Sequence, residues 1–300
     1  MILEIPEMLR EIAPGLPVGG TPSVICVRTT RPKYLIFGDR ADYPVAIADF
    51  GTKGELEQLH RILSRIHRKA PDLVAEPIAL APWKNGLYVH LQSGLAGTPW
   101  FRIGEALRSL AQWHDVAVTV RDALTRLHDV VASFPDWVRP VRPGAELRTE
   151  LATCMASGAG LSELVLAHAE RSAVRLDALG EFDACFQHGD FCLNNVLVAP
   201  GGVRIIDFEE FGRTAMPLLD DVGLAMSLDD LMPRDISRRF DPMHFLATTR
   251  APQALLDRQC LSASCMHHFL WRINQCRDSP TRAPARRALL EKVEQMAAAA

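Results

Sequence analysis

An α+β fold is predicted for this 300-residue chain by three observations. Short apolar, strand-like runs and one amphipathic helix fill the first third. Helical periodicity dominates from Arg102 onward. Between residues 188 and 209, two short apolar runs joined by a turn carry two Asp and one Asn at their ends. With 48% apolar and 23% charged residues, the chain has an ordinary globular composition and enough length for two lobes.

The early strands are predicted over residues 24–28, 34–37 and 44–48. A helix follows, because Leu56, Leu59, Ile62, Leu63 and Ile66 recur at helical spacing. Two more strands are expected over 75–79 and 86–91. Gly19-Gly20-Thr21 precedes the first strand. Two glycines read as a simple turn more readily than as a phosphate-cradling loop.

In the remainder, residues 117–131 place Val120, Leu124, Leu127 and Val131 on one helical face, with His128 a packed or partly exposed member of that helix. Residues 135–143, bounded by prolines, read as an irregular connection. Further helices are expected over 161–179, stopped by Gly180, over 252–276, and over 284–300.

Charge and patterning exclude several classes of function. A net charge of −3 gives no footprint for nucleic acid or an anionic membrane. No apolar run approaches the ~20 residues of a spanning helix. The start is acidic with an early Pro6, unlike a signal peptide. Seven scattered Cys argue against a disulfide framework, and together these features point to a cytoplasmic protein. Cys260, Cys265 and Cys276 lie near His267 and His268, but their spacing matches no zinc motif. The apolar run 269–273 beside them reads as a buried helix, so core thiols are expected.

The chemistry concentrates in one hairpin. His188-Gly189-Asp190 is followed by Asn195, five positions after the Asp, and by the apolar run 196–198. Pro200-Gly201-Gly202 marks a turn, 203–206 a returning strand, and Asp207-Phe208-Glu209 its end. A hydroxyl attacking a γ-phosphate needs a carboxylate to orient it and take its proton, a role that fits Asp190. A metal-bound triphosphate needs hard oxygen ligands, a role that fits Asn195 and Asp207.

This constellation resembles the aminoglycoside phosphotransferase and choline kinase family, small-molecule kinases of protein-kinase-like fold. The resemblance is sharp over residues 187–211 and diffuse over most of the chain. It implies a small, antiparallel-sheet, nucleotide-covering lobe over residues 1–97 and a mostly helical lobe over 98–300 with the catalytic loop and acceptor site. It implies ATP as co-substrate with magnesium on Asn195 and Asp207, and Asp190 as the base. Residues 91–99 resemble the hinge, where backbone groups at Leu91 and Ser93 would meet the adenine edge. His188 would hold the catalytic loop through backbone hydrogen bonds, Asp221 would brace it, and Glu209 would add an outer metal contact or solvate the loop end.

One departure stands out. Family kinases carry a Lys on the third strand that meets the phosphates and pairs with a helix Glu. Here Ala48 occupies the expected position. Lys53 is the nearest replacement and Lys33 the second, with Glu55 or Glu57 as helix partner. The implied activity is phosphorylation of a hydroxyl on a small molecule, or of a Ser or Thr in a precursor peptide. Ala48 leaves an alternative, a degenerate kinase that binds nucleotide or a partner protein as a scaffold. Asp229 and Asp230 could offer charge to a cationic acceptor, or simply be solvated.

Overall fold

The computed structural model describes every residue except 1–3, 19–21, 29–31, 40, 105, 277–281 and 300, so Gly19-Gly20-Thr21 lies outside the described residues. The chain divides into two compact units: Met1–Arg108, His114–Val130 and Leu193–Glu209 in the first, and Ser109–Trp113, Val131–Cys192 and Glu210–Ala300 in the second. No helix among the described residues is long and apolar enough to cross a membrane.

The first unit is built on a five-stranded antiparallel sheet of β1 (Ser23–Arg28), β2 (Pro32–Phe37), β3 (Ala46–Gly51), β4 (Pro77–Pro82) and β5 (Tyr88–Ser93), in spatial order β1-β2-β3-β5-β4. Strand alternation gives the sheet two unlike faces. Tyr34, Ile36, Ala46, Ala48, Phe50, Val89 and Leu91 form one core with Ile5, Met8 and Leu9 of helix α1 (Ile5–Ile12). The opposite face carries Lys33, Leu35, Ile47, Asp49 and Gln92.

Helix α2 (Lys53–Lys69) follows β3 after a one-residue break. Its start is fixed by Thr52, whose hydroxyl donates to the Glu55 carboxylate at 2.7 Å and whose N–H reaches the same carboxylate at 3.4 Å. His67, Arg68 and Lys69 complement the dipole in its last turn. The expected stripe of Leu56, Leu59, Ile62, Leu63 and Ile66 is its buried face. Gly94 follows β5 where the chain touches the residue before β3: a Cβ there would lie 1.5 Å from the Pro44 carbonyl oxygen, so only glycine fits.

The same unit holds β6 (Thr98–Pro99), α3 (Trp100–Gly104), most of α4 (Leu110–Ala132), and the hairpin of β9 (Val196–Ala199) and β10 (Gly202–Ile205). Their sheet runs β10-β9-β6. The hairpin is a tight antiparallel pair with Gly202 opposite Ala199 and Ile205 opposite Val196.

The second unit is helical: α5 (Pro143–Ala156), α6 (Glu163–Asp177), α7 (Leu219–Leu231), α8 (Arg234–Ser237), α9 (Pro242–Ala247), α10 (Arg258–Gln275) and α11 (Ala283–Ala298). α10 is its axis, buried along most of its length, with Cys260, Cys265, His267 and His268 among the buried residues. Burial pushes the Cys265 thiol up to about 12 and the His267 imidazole down to about 3. These are core groups held neutral, and among the described residues no three His, Cys, Asp or Glu side chains gather as a metal site.

One expectation needs correction here. Residues 135–143 are not irregular: β7 (Val138–Val141) pairs with β8 (Phe182–Cys185), a strand the sequence did not suggest. In a two-stranded ribbon both strands are edges, so Pro140 is tolerated and periodicity is too short to read.

Candidate active site

Two cavities, one in each unit, hold Asp190 and the group of Lys33, Asn195 and Asp207. The first, about 830 Å³, lies wholly in the first unit. β2 and β3 supply Lys33, Ile47 and Asp49, α2 supplies Leu59 and Leu63, and the hairpin supplies Asn195 and Asp207. Beyond the last ladder pair, the Ile206 N–H donates to the Asn195 carbonyl at 3.0 Å, which carries Asp207 back to Asn195. Asp207 has φ +68°, a left-handed conformation that costs a non-glycine residue about 1 kcal/mol or more and that Asp tolerates better than most.

Asp207 is held by a cation. Lys33 Nζ lies 2.8 Å from Asp207 Oδ1 and 3.2 Å from Glu209 Oε1. Burial works against the ammonium, but the charges of Asp207 and Glu209 outweigh it and raise the Lys33 pKa above its ordinary value. Lys33 and Asp49 are cross-strand partners on the cavity face. Asp49 is 1% exposed; its Oδ2 accepts from Gln92 Nε2 at 3.3 Å, and its Oδ1 has no hydrogen-bond partner among the described residues.

Ala48, the position the resemblance assigns to the strand lysine, does not face this cavity. Ala48 is fully buried in the core shared with α1, so no side chain there reaches the cavity. The strand positions facing it are Ile47 and Asp49, because neighbouring residues on a strand point to opposite faces. One of these positions is apolar and the other a carboxylate, so β3 presents no cation to the cavity.

Lys53 is at the surface, its side chain 60% exposed and its ammonium 3.5 Å from Glu57, and it does not line the cavity. Glu55 serves the helix cap, so α2 turns leucines rather than a carboxylate to the cavity. Leu91 is buried in the α1 core, and its backbone pairs with Ala48 and Ala79 within the sheet. The Ser93 hydroxyl accepts from the Glu76 N–H at 2.9 Å. The cavity wall in this stretch is made by Gln92, Leu95, Gly97, Thr98 and Pro99 instead.

The second cavity, about 260 Å³, lies wholly in the second unit and is lined by Asp190. The loop that presents Asp190 is held from two sides. The His188 and Gly189 N–H groups donate to Asp220 Oδ2 and Oδ1 at 2.6 and 2.9 Å. The Gly189 carbonyl accepts from Trp271 Nε1 at 2.8 Å and Gln275 Nε2 at 3.1 Å. The brace expected from Asp221 thus comes from Asp220, at the first turn of α7, while His188 is fully buried with its ring edge-on to Phe191. Gly189 has φ +84°, and a Cβ there would lie 2.7 Å from the Glu210 carbonyl oxygen.

Asp190 pairs with the Arg272 guanidinium through Arg272 Nη1, which also donates to Gln275 Oε1 at 2.7 Å. Burial opposes charge on Arg272, but the Asp190 carboxylate raises its pKa overall. Arg272 was not anticipated, although a lone Arg inside the apolar run 269–273 was a usable signal. Asp229 accepts from the Ser237 hydroxyl at 2.8 Å and Asp230 pairs with Lys292 at 2.5 Å, so both carboxylates are engaged within the protein.

Comparison with known proteins bears on the family and the fold. The sequence profile described as the phosphotransferase enzyme family matches residues 28–257, more than half of the chain. Among solved structures, the chain is similar to APH(2")-IIia in complex with GDP and kanamycin, with a TM-score of 0.62 at 13% identity over 99% of both chains. Choline kinase from Cryptosporidium parvum Iowa II gives a TM-score of 0.65 at 12% identity, over 99% of this chain and 95% of that one. A thermostable mutant of the aminoglycoside phosphotransferase APH(4)-Ia, in ternary complex with AMP-PNP and hygromycin B, gives 0.63 at 12% identity over 98% and 97%. These likenesses establish the protein-kinase-like fold. Comparison with curated protein sequences returned no match.

Proposed function

Because the chain belongs to the phosphotransferase enzyme family, we propose that it transfers the γ-phosphoryl group of ATP to a hydroxyl of a small molecule. The observation that carries this reading is the cavity of about 830 Å³ that brings Lys33, Asn195 and Asp207 onto one wall. Its size suits a nucleotide. The solved neighbours that contain GDP or AMP-PNP support a nucleotide co-substrate.

The donor set suits magnesium. Asp207 and Asn195 offer hard oxygens, and the Lys33 ammonium against Asp207 and Glu209 marks this wall as one that attracts a cation. Asn195 and Asp207 would hold the metal, which when bound neutralises charge on the phosphates. Asp190 orients the acceptor hydroxyl and takes its proton. Asp220, Trp271 and Gln275 keep Asp190 in place by holding the backbone on both sides of Gly189.

Lys33 takes the role of the missing strand lysine on this reading, and Asp49 that of the helix carboxylate. Both residues face the cavity and are adjacent across β2 and β3. With Asp207 holding magnesium, the Lys33 ammonium would be free to turn toward the phosphates and toward Asp49 Oδ1, which has no hydrogen-bond partner among the described residues. The lysine–glutamate pair of the family is thereby moved one strand over.

A calorimetric titration with magnesium-ATP tests the proposal. Saturable binding in the millimolar range or tighter is expected. Its absence would discard the kinase reading and leave the degenerate-kinase scaffold.

A further inference from the structure

The cavity beside Asp190 is unlike a site for a polycation. At about 260 Å³ it falls below the ~300 Å³ at which pockets for drug-sized molecules begin. Its walls are mainly apolar, with Phe191, Met226, Phe269 and Leu289 among them. Two cations line it, Arg272 from α10 and Lys292 from α11. Of its carboxylates, Asp220 is committed to the loop backbone and Asp230 to Lys292. What remains is the single ion pair of Asp190 with Arg272.

That pair is chemically suggestive. Arg272 makes its hydrogen bonds to described residues through Nη1 alone. The Nε and Nη2 edge of the guanidinium thus has no partner among the described residues, and it is the edge that grips a carboxylate with two parallel bonds. The partner of Nη1 is the carboxylate assigned as the base. A molecule that places an anionic group on Arg272 therefore brings its neighbouring hydroxyl to Asp190.

We propose that the acceptor is a small hydroxy acid, its carboxylate bound by Arg272 and its hydroxyl, two or three bonds away, presented to Asp190. The inference rests on the kinase reading above. The hydroxyl proton passes to Asp190 while the hydroxyl oxygen forms a bond to the γ-phosphorus of ATP. The bond from that phosphorus to the β,γ-bridging oxygen breaks, ADP departs with the electron pair, and Asp190 later returns its proton to water. Lys292, at the cavity rim, adds to the positive field without being required for the two-point grip.

The test uses the full chain with magnesium-ATP and six candidate acceptors. D-glycerate and 3-hydroxybutyrate are compared with their methyl esters, and with choline and kanamycin, by calorimetric binding and by phosphorus NMR of the product. The acids should bind and be phosphorylated, and the esters should bind roughly thirtyfold more weakly or worse, because hydrogen bonds to a charged group are lost. Arg272→Gln should erase the difference between acid and ester, and Arg272→Lys should recover part of it. Equal binding of acid and ester, no binding of either acid at millimolar concentration, or phosphorylation of choline or kanamycin in place of the acids would each overturn the proposal. These outcomes leave the kinase reading intact as long as ATP binds. Absence of ATP binding counts against that reading instead, while the acid and ester comparison still judges Arg272.

Discussion

Lys33 Nζ sits 2.8 Å from Asp207 Oδ1, across 174 positions of sequence. A lysine that the sequence ranks behind Lys53 is thus the lysine that lines the cavity. Lys33→Met should lower kcat/KM by about a hundredfold or more, the scale of losing a preorganised charge-stabilising donor. Lys53→Ala should change it little, since an exposed ion pair contributes at most about 1 kcal/mol. Steady-state kinetics on both variants decides between them; an unimpaired Lys33→Met enzyme would remove the assignment.

The register of β3 makes an unusual prediction about restoring the family lysine. Ala48→Lys should not improve activity, and should destabilise the fold by several kcal/mol, because the ammonium would enter the core shared with Ile5, Met8 and Leu9. The transposed pair, Lys33→Asp with Asp49→Lys, should instead recover nucleotide binding lost in Lys33→Asp alone. Urea melts and calorimetry measure the two effects. A stable, more active Ala48→Lys protein would show the strand register to be wrong.

Asp190 and Asp207 should separate cleanly. Asp207→Asn keeps a residue that tolerates the left-handed backbone at φ +68°, so the protein should fold and lose metal-dependent nucleotide binding. Asp190→Asn should retain that binding and lose turnover. If turnover survives in Asp190→Asn, another group is the base.

Asp220 accepts two buried backbone N–H groups, so Asp220→Ala should cost about 1.5–3 kcal/mol for each bond to the charged carboxylate. Activity should fall further than stability accounts for, since Gly189 and Asp190 lose their hold. Chemical denaturation alongside kinetics at a temperature where the variant is folded provides the comparison.

Stability should depend on pH through α10. Burial holds His267 at about 3, and burial, with the Arg272 and His267 charges, holds His268 at about 3, against an ordinary value of 6.5. Between these limits the unfolded chain binds more protons than the native one. Their stabilising contribution is therefore complete above about pH 6.5 and is lost progressively as pH falls toward 3. The urea midpoint should drop between pH 7 and pH 5, where carboxylates contribute little, and His267→Phe should flatten part of that slope. A midpoint constant over this range would contradict neutral burial of the two rings.

Much of this protein was written locally. The stripe from Leu56 to Ile66, the tight Pro200-Gly201 turn and the Asp190, Asn195 and Asp207 spacing depend on short-range periodicity and turn chemistry, and the stripe and the turn stand in the structure as expected. The family followed from the same few residues. Strand pairing was less legible: β7 and β8 are four residues each, and an edge ribbon imposes no pattern that sequence alone reveals.

Long-range packing sets which side chains share a space. The face of β3 is set by packing against α1, which takes Ala48 inward and leaves Asp49 outward, a choice that a one-residue shift reverses. Lys33 meets Asp207, Arg272 meets Asp190 and Asp220 replaces Asp221 because of folding at long range, where spacing carries no information. The family is legible locally, because the residues that mark it lie on one short stretch of chain. The cations that complete the two cavities come from distant elements, and only packing could bring them there.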